Sequence, residues 1–385
     1  YMQRLDVDYT NYRWHAFTTH GAISEQQPIT SEAGFTATYD GGGHTVHGVS
    51  FRTNASRIGL FGTIAARGVV QNVTLLGDGG SLTYAGKAGD NTASGSSQTV
   101  QMGALAGYNH GTIRNCAAAG YGVTFHVYNS STLMLGGLAG ANSGAITNSM
   151  ADTVRMDLTT TNGSVYAGGM VGSNSASITG SYALGRISLL DSKRGTARLG
   201  GFAASNAGGV IQRCYSATAL TAAGAAESYG FAPKGGAAVS CYYLDGGTYA
   251  YDGVLYAYNT SHNEFANLAA GQPLHGEELR ALLLREFSGA DATFEADGSA
   301  ADEDYPFPAV VTNAAGNTVH YGPWPVQADI GTLGVFYWEY EEGGNNSGYH
   351  FSYIGTSQGT EISSNENDLL SGNSLCREHD DGGVI

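Results

Sequence analysis

A repeat of roughly 32 residues runs through the middle of the chain and limits what it can fold into. Gly103-Ala-Leu-Ala-Gly-Tyr-Asn109, Gly136-Gly-Leu-Ala-Gly-Ala-Asn142, Gly168-Gly-Met-Val-Gly-Ser-Asn174 and Gly200-Gly-Phe-Ala-Ala-Ser-Asn206 end on asparagines spaced by 33, 32 and 32 residues. Four positions before each asparagine sits a large apolar residue: Leu105, Leu138, Met170 and Phe202. A second shared stretch follows, carried by Ile113, Ile146, Ile178 and Ile211. Ile58-Gly-Leu-Phe-Gly62 is an earlier copy and Tyr229-Gly-Phe-Ala-Pro233 a degenerate later one. Each unit holds only short strands, too few to bury an apolar face alone, so the copies must stack.

Stacking predicts two interior columns, Leu105–Leu138–Met170–Phe202 and Ile113–Ile146–Ile178–Ile211, with coils about 4.8 Å apart. The paired glycines suit close backbone approach and corners with positive φ. Asn109, Asn142, Asn174 and Asn206 fall at a turn, where stacked amides can bond from coil to coil. The alternative is that they are independent turn residues tolerant of the left-handed conformation. Composition agrees with β structure. With 58 glycines but only 7 prolines the chain is not collagen, and so much glycine disfavours long helices. An apolar share of 42% argues against a charge-driven disordered chain.

Residues 136–149, Gly-Gly-Leu-Ala-Gly-Ala-Asn-Ser-Gly-Ala-Ile-Thr-Asn-Ser, resemble the GLUG motif, as does Phe35-Thr-Ala-Thr-Tyr-Asp-Gly-Gly-Gly-His-Thr-Val46 ahead of Gly59-Leu-Phe-Gly62. The resemblance spans roughly residues 35–245. It implies a right-handed parallel β-solenoid, here of about six coils, in a secreted or cell-surface bacterial protein. The family shares a scaffold and no catalytic residues that could be carried over. After residue 206 the copies depart from the pattern, as a tapering terminal coil would. In this frame Cys116, Cys214 and Cys241 share a column with Ser149 and Ser181. Cys214 and Cys241 are then neighbours, either bonded or filling the column as thiols.

An all-β chain with three parts follows: a solenoid with its amino-terminal cap over 1–258, a capping segment over 259–327, and an acidic β-hairpin module over 328–385. The cap includes Trp14-His-Ala-Phe17. Gly276–Phe287 predicts one amphipathic helix covering the last coil, with Leu279, Leu282, Leu283 and Phe287 on one face. The runs 334–341 and 349–354 predict a hairpin. The start at Tyr1 and the apolar end at Val384-Ile385 read as a piece of a longer protein.

The net charge of −16 argues against nucleic acid as a partner. No run approaches the roughly 18 to 20 apolar residues of a membrane span. Charge is uneven: residues 59–247 hold ten Lys/Arg and seven Asp/Glu, whereas 252–385 hold three and twenty-one. No zinc-ligand spacing, nucleophile elbow or P-loop is present. His44-Thr-Val-His47 would send its imidazoles to opposite faces of a strand. The acids between 59 and 247 do not recur at equivalent repeat positions, as a catalytic row would. Threonines show no rank on every coil. No cofactor is expected; calcium at Asp302-Glu-Asp304 or at Glu339, Glu341 and Glu342 is a weaker reading, without loop spacing to support it.

The expected function is therefore that of a non-catalytic, adhesin-like extracellular or cell-surface protein. Its partners would be host or neighbouring-cell glycans or proteins, met through variable loops at 77–101, 120–133, 152–166 and 186–199. Tyr243, Tyr249, Tyr251 and Trp338 are the candidate ligand-facing aromatics, the alternative being that they pack the cap and hairpin. The rival reading is a carbohydrate-active enzyme domain or the non-catalytic part of a surface peptidase.

Overall fold

The computed structural model describes residues 34–244 with short gaps at 43, 49, 78–80, 95–97 and 224–225. It also describes residues 1–4 and 7–8 and, by backbone, strands between 248 and 362. Each coil is four short strands joined by corners. One coil runs Ser164–Gly168 on the first face, Val171–Asn174 on the second, Ser177–Thr179 on the third and Tyr182–Lys193 on the fourth. Successive coils pair in parallel, with Gly136↔Gly168, Asn142↔Asn174, Ile146↔Ile178 and Ala151↔Ala183 in register. About five turns are complete, and a partial sixth is formed by Glu227–Tyr229, Ala237–Val239 and Tyr242–Leu244. The chain is a parallel β-solenoid.

The predicted columns exist. Leu105, Leu138, Met170 and Phe202 are all 0% exposed. They stack through backbone bonds from each N–H to the carbonyl one coil on: Leu105 to Leu138 at 3.0 Å, Leu138 to Met170 at 3.0 Å and Met170 to Phe202 at 2.9 Å. Phe202 continues the column onto Phe231, the rings stacked 4.8 Å apart. Ile113, Ile146, Ile178 and Ile211 form the second column and are equally buried.

The asparagines form a ladder. Asn109 Nδ2 donates to Asn142 Oδ1 at 2.7 Å, Asn142 to Asn174 at 2.8 Å and Asn174 to Asn206 at 2.8 Å. Oδ1 also accepts from the backbone two residues on, as in Gly111 N–H to Asn109 at 3.1 Å. The left-handed corner conformation falls elsewhere, on Asn72, Asn115, Asn148, Gly180, Arg213 and Ser240, all with positive φ. The asparagines of the Ile-x-Asn stretch thus turn the third corner, while those of the glycine-rich stretch bind coil to coil. The repeat glycines serve close approach: a Cβ on Gly136 would lie 2.0 Å from the Ala139 carbonyl oxygen.

The cysteine column is present and unbonded. Cys116, Cys214 and Cys241 are buried free thiols. Cys214 Sγ donates to the Gln212 carbonyl at 3.1 Å, as Ser149 Oγ does to Thr147 at 2.9 Å and Ser181 Oγ to Thr179 at 3.0 Å. Each of these side chains also accepts an N–H from the preceding coil: Cys116 to Ser149, Ser149 to Ser181 and Ser181 to Cys214. A small donor–acceptor side chain is what the column requires, and thiol and hydroxyl both meet that need.

One expectation changes. Three of the segments read as variable loops contain long strands: Gly122–Tyr128, Met150–Thr161 and Tyr182–Lys193 extend the fourth face side by side, in parallel. Their varied composition reflects an exposed outer surface, while Val123, Phe125, Met156, Leu158, Ile187 and Leu189 alternate inward. A bulge opposite Thr153 is closed by Gly185 at φ 98, where a Cβ would lie 1.9 Å from the Thr153 oxygen. Gln272–Leu274, within the segment expected to cap the solenoid, pairs in parallel with Tyr242–Leu244. Farther along the chain, Thr318–Gln327 pairs with both Ala309–Thr312 and Val335–Glu341 in a six-stranded antiparallel sheet. The predicted hairpin is part of that sheet, Val335–Glu341 pairing with Gly348–Ile354.

At the amino-terminal end, Gln3 N–H donates to the Asp40 carbonyl at 2.8 Å and Val7–Asp8 pairs with Val46–His47, covering two strand edges. Trp14–Phe17 and the helix expected at 276–287 lie outside the described residues.

Replacing Asn142 by Ala removes two ladder bonds and leaves buried amide groups of Asn109 and Asn174 short of partners. A loss of about 2 kcal/mol is expected in denaturant unfolding, comparable to the lower end for Met170→Ala at about 2–5 kcal/mol. The thiols carry a second expectation. Burial pushes Cys116 up to about 12 and Cys241 up to about 11. Native protein at pH 8 should therefore leave Cys116, Cys214 and Cys241 unalkylated by iodoacetamide, and denaturant without reductant should expose all three, read by peptide mass.

Candidate binding surface on the outer faces

On the first face the residue two places before each corner glycine points outward, because its neighbours point in. Val100 and Met102, Leu133 and Leu135, Val165 and Ala167, and Ala197 and Leu199 are core residues. Between them Gln101, Met134, Tyr166 and Arg198 line up in one outer column, which Arg57 begins and Glu227 ends. Two residues back lies a rank of small hydroxyls, Thr99, Thr132, Ser164 and Thr196, which sequence reading missed because one member is serine. The scaffold positions of the repeat are near-constant, and this outer column changes from each coil to the next.

Contacts within the column are specific. The Arg198 guanidinium lies 5.8 Å from the Tyr166 ring centre, and its Nε donates to Glu227 Oε2 at 2.5 Å. Tyr229 donates its hydroxyl proton to the same carboxylate oxygen at 3.1 Å. The Arg198 hydrogen bond holds Glu227 below the usual carboxylate range, and the partnership raises Arg198 in turn. At the other end Arg57 donates to Gln101 Oε1 at 3.2 Å and to Thr63 Oγ1 at 3.0 Å, with its guanidinium 5.1 Å from the Tyr108 ring centre on the second face. Tyr108 in turn packs on His110, ring centres 3.9 Å apart, and His110 Nδ1 meets Ser143 Oγ at 2.7 Å.

Among the described residues the side-chain carboxylates are spread over several faces. Asp40 accepts from Gln71, Asn72 and the Gly42 N–H, Asp90 pairs with Arg52, Asp157 with Arg155 and Asp191 with Lys193. Asp152 shares the fourth face with Asp157 and Asp191, and burial pushes it up to about 7. No group of three or more metal-ligating side chains occurs among the described residues. The acidic runs 302–304 and 339–342, read as weak calcium candidates, lie outside the residues whose side chains are described. Among the described residues no helix is long and apolar enough to cross a membrane.

Of the four aromatics expected to face a ligand, Tyr243 is 6% exposed and belongs to the core. Its place in the strand explains this: it continues the inward column of Ala151, Ala183 and Ser216, where the tapering coil leaves room for a ring. Tyr249 and Tyr251 sit in the short hairpin Thr248–Tyr251 with Val254–Ala257, and Trp338 in Val335–Glu341; these are described by backbone only. Outward aromatics that the structure does show include Tyr108 and Tyr166, both half-buried, and the exposed Tyr128 on the fourth face. The signal of the first two in the sequence was alternation ahead of, or just after, the corner glycines.

No family model matches this chain, and no curated protein matches it. Among solved structures it is similar to a crystal structure described as a "putative immunoglobulin A1 protease" from Bacteroides ovatus, at 16% identity and a TM-score of 0.51, over 83% of this chain and 85% of that one. The likeness is one of fold.

Asp152 gives a pH expectation. Its folded pKa lies above the usual aspartate value of 3.8, so the protonated form favours folding. That contribution is present below about pH 4 and is lost as pH rises towards 7. Asp152→Asn should therefore leave Tm near wild type at pH 4 and raise it at pH 8, in thermal melts followed by circular dichroism.

Proposed function

We propose that this chain is a non-catalytic, adhesin-like β-solenoid of a bacterial secreted or cell-surface protein, of the GLUG-motif kind, which binds glycan or protein through its outer faces. The observation that carries the reading is the outer column Arg57–Gln101–Met134–Tyr166–Arg198–Glu227, which changes chemistry from each coil to the next on a scaffold that repeats. A repeat under purely structural constraint has no need of two arginine–tyrosine pairs on its outer faces; a rod that presents contacts at fixed spacing does. Stiffness comes from the ladders, so contacts made along the rod add without a cost in ordering.

The fold likeness to the Bacteroides ovatus structure favours a second reading, that the solenoid is the non-catalytic part of a surface peptidase. Both readings give the rod a binding role, and they differ in what is attached to it. The purified chain on an array of glycans and extracellular-matrix proteins should show saturable binding, reduced at least tenfold by Tyr166→Ala with Arg198→Ala. Release of sugars or peptides by the purified chain would replace this proposal with an enzymatic one, and absence of binding across the array would remove it.

A further inference from the structure

The outer surface near the amino-terminal end of the rod carries positive charge that the described side chains do not neutralise. Arg57 is held by neutral partners only, the Gln101 amide oxygen, the Thr63 hydroxyl and the Tyr108 ring. Two of its five N–H donors are spent in those hydrogen bonds, leaving the remainder for a ligand. His110 is exposed and its ring packs against Tyr108 at a tilt of 44°. One coil below, the corner at residues 65–68 lies directly beneath it, since His110 N–H donates to the Ile64 carbonyl and Thr112 N–H to that of Gly68, at 2.8 and 2.9 Å. That corner exposes Arg67. Burial, and then the like charge of Arg57, hold His110 below its usual value, consistent with an unbalanced positive field at this corner.

We propose that the corner built by Arg57, Arg67, Tyr108 and His110 binds a carboxylated polysaccharide, a reading that rests on the binding role proposed above and names its ligand class. Carboxylates on the polymer pair with the two guanidinium groups. The apolar face of a sugar ring lies on the exposed part of Tyr108, and the His110–Ser143 pair meets a ring hydroxyl. A peptide is the less suitable occupant. Strand-like peptides bind by adding to an open sheet edge, whereas Tyr108 lies on Ala106–Asn109, which pairs on both sides with 61–64 and 139–142; Arg57 lies on an end strand, 57–58, but its side chain reaches away from that edge to Gln101 and Tyr108 on the next coil. Recognition therefore falls to side chains on a flat, stiff surface, which suits a stiff polymer carrying charge at regular intervals.

The test uses the full chain immobilised on a sensor, with alginate and polygalacturonate as carboxylated probes and dextran and mannan as neutral ones. The carboxylated polymers should bind, weaken as salt rises from 50 to 300 mM, and bind at least tenfold less to Arg57→Gln. Arg57→Lys keeps the charge and should lose less, and unchanged melting temperatures show that the variants fold. Carboxylated binding that Arg57→Gln and Tyr108→Ala both leave intact would overturn the site. Binding of neutral glycans or matrix proteins alone would overturn the ligand class and leave the binding role standing. No binding to any probe, on the sensor or on the array, would overturn both.

Discussion

Parallel registration of one coil on the next is the interaction everything else depends on. A single coil of strands three to five residues long, as at 164–179, has almost no interior of its own. When coils stack, every strand gains hydrogen bonds above and below, and Leu138, Met170 and Phe202 gain neighbours of the same kind. The asparagine ladder makes a slip of register costly. Shifting one coil by one residue would strand a buried amide with neither of its neighbours and turn an apolar column outward. Corner glycines permit the approach on which this registration rests, because any side chain at Gly136 would meet the Ala139 carbonyl.

Inside and outside of the rod are consequently under different constraints. Inward and corner positions must match from coil to coil, so they repeat. Outward positions touch their column neighbours, side chains of the adjoining face and solvent rather than the core, so they are free to differ, and Arg57, Gln101, Met134, Tyr166, Arg198 and Glu227 change from each coil to the next. The same freedom accounts for the long fourth-face strands. Their length varies between coils without disturbing the other three faces, and Gly185 absorbs the mismatch between Met150–Thr161 and Tyr182–Lys193.

Much of the scaffold was legible before any coordinates. The period, both apolar columns, the asparagine ladder and the serine–cysteine column all follow from residues recurring at one spacing. The candidate surface was much less legible, for a physical reason. It consists of residues whose identities do not recur, and a search for recurrence passes over them; only the alternation Val100-Gln101-Met102 and Val165-Tyr166-Ala167 marked them as outward. Clustering of tyrosines in the sequence pointed to Tyr243, which the tapering last coil draws into the core instead. The long strands look like loops in the sequence because their outer residues are polar, although a period of two runs along them, as in Val123, Phe125 and Val127.

The sequence by itself determined that coils of 32 residues stack, and which side chains face one another inside, because those facts depend on spacing alone. Tertiary structure decided what adjoins what across different faces. Arg57 and Tyr108 are 51 residues apart in the chain, and His110 and Ser143 stand on neighbouring coils. Their contacts arise from where the corners place two sheets, a matter of backbone geometry that no linear pattern records.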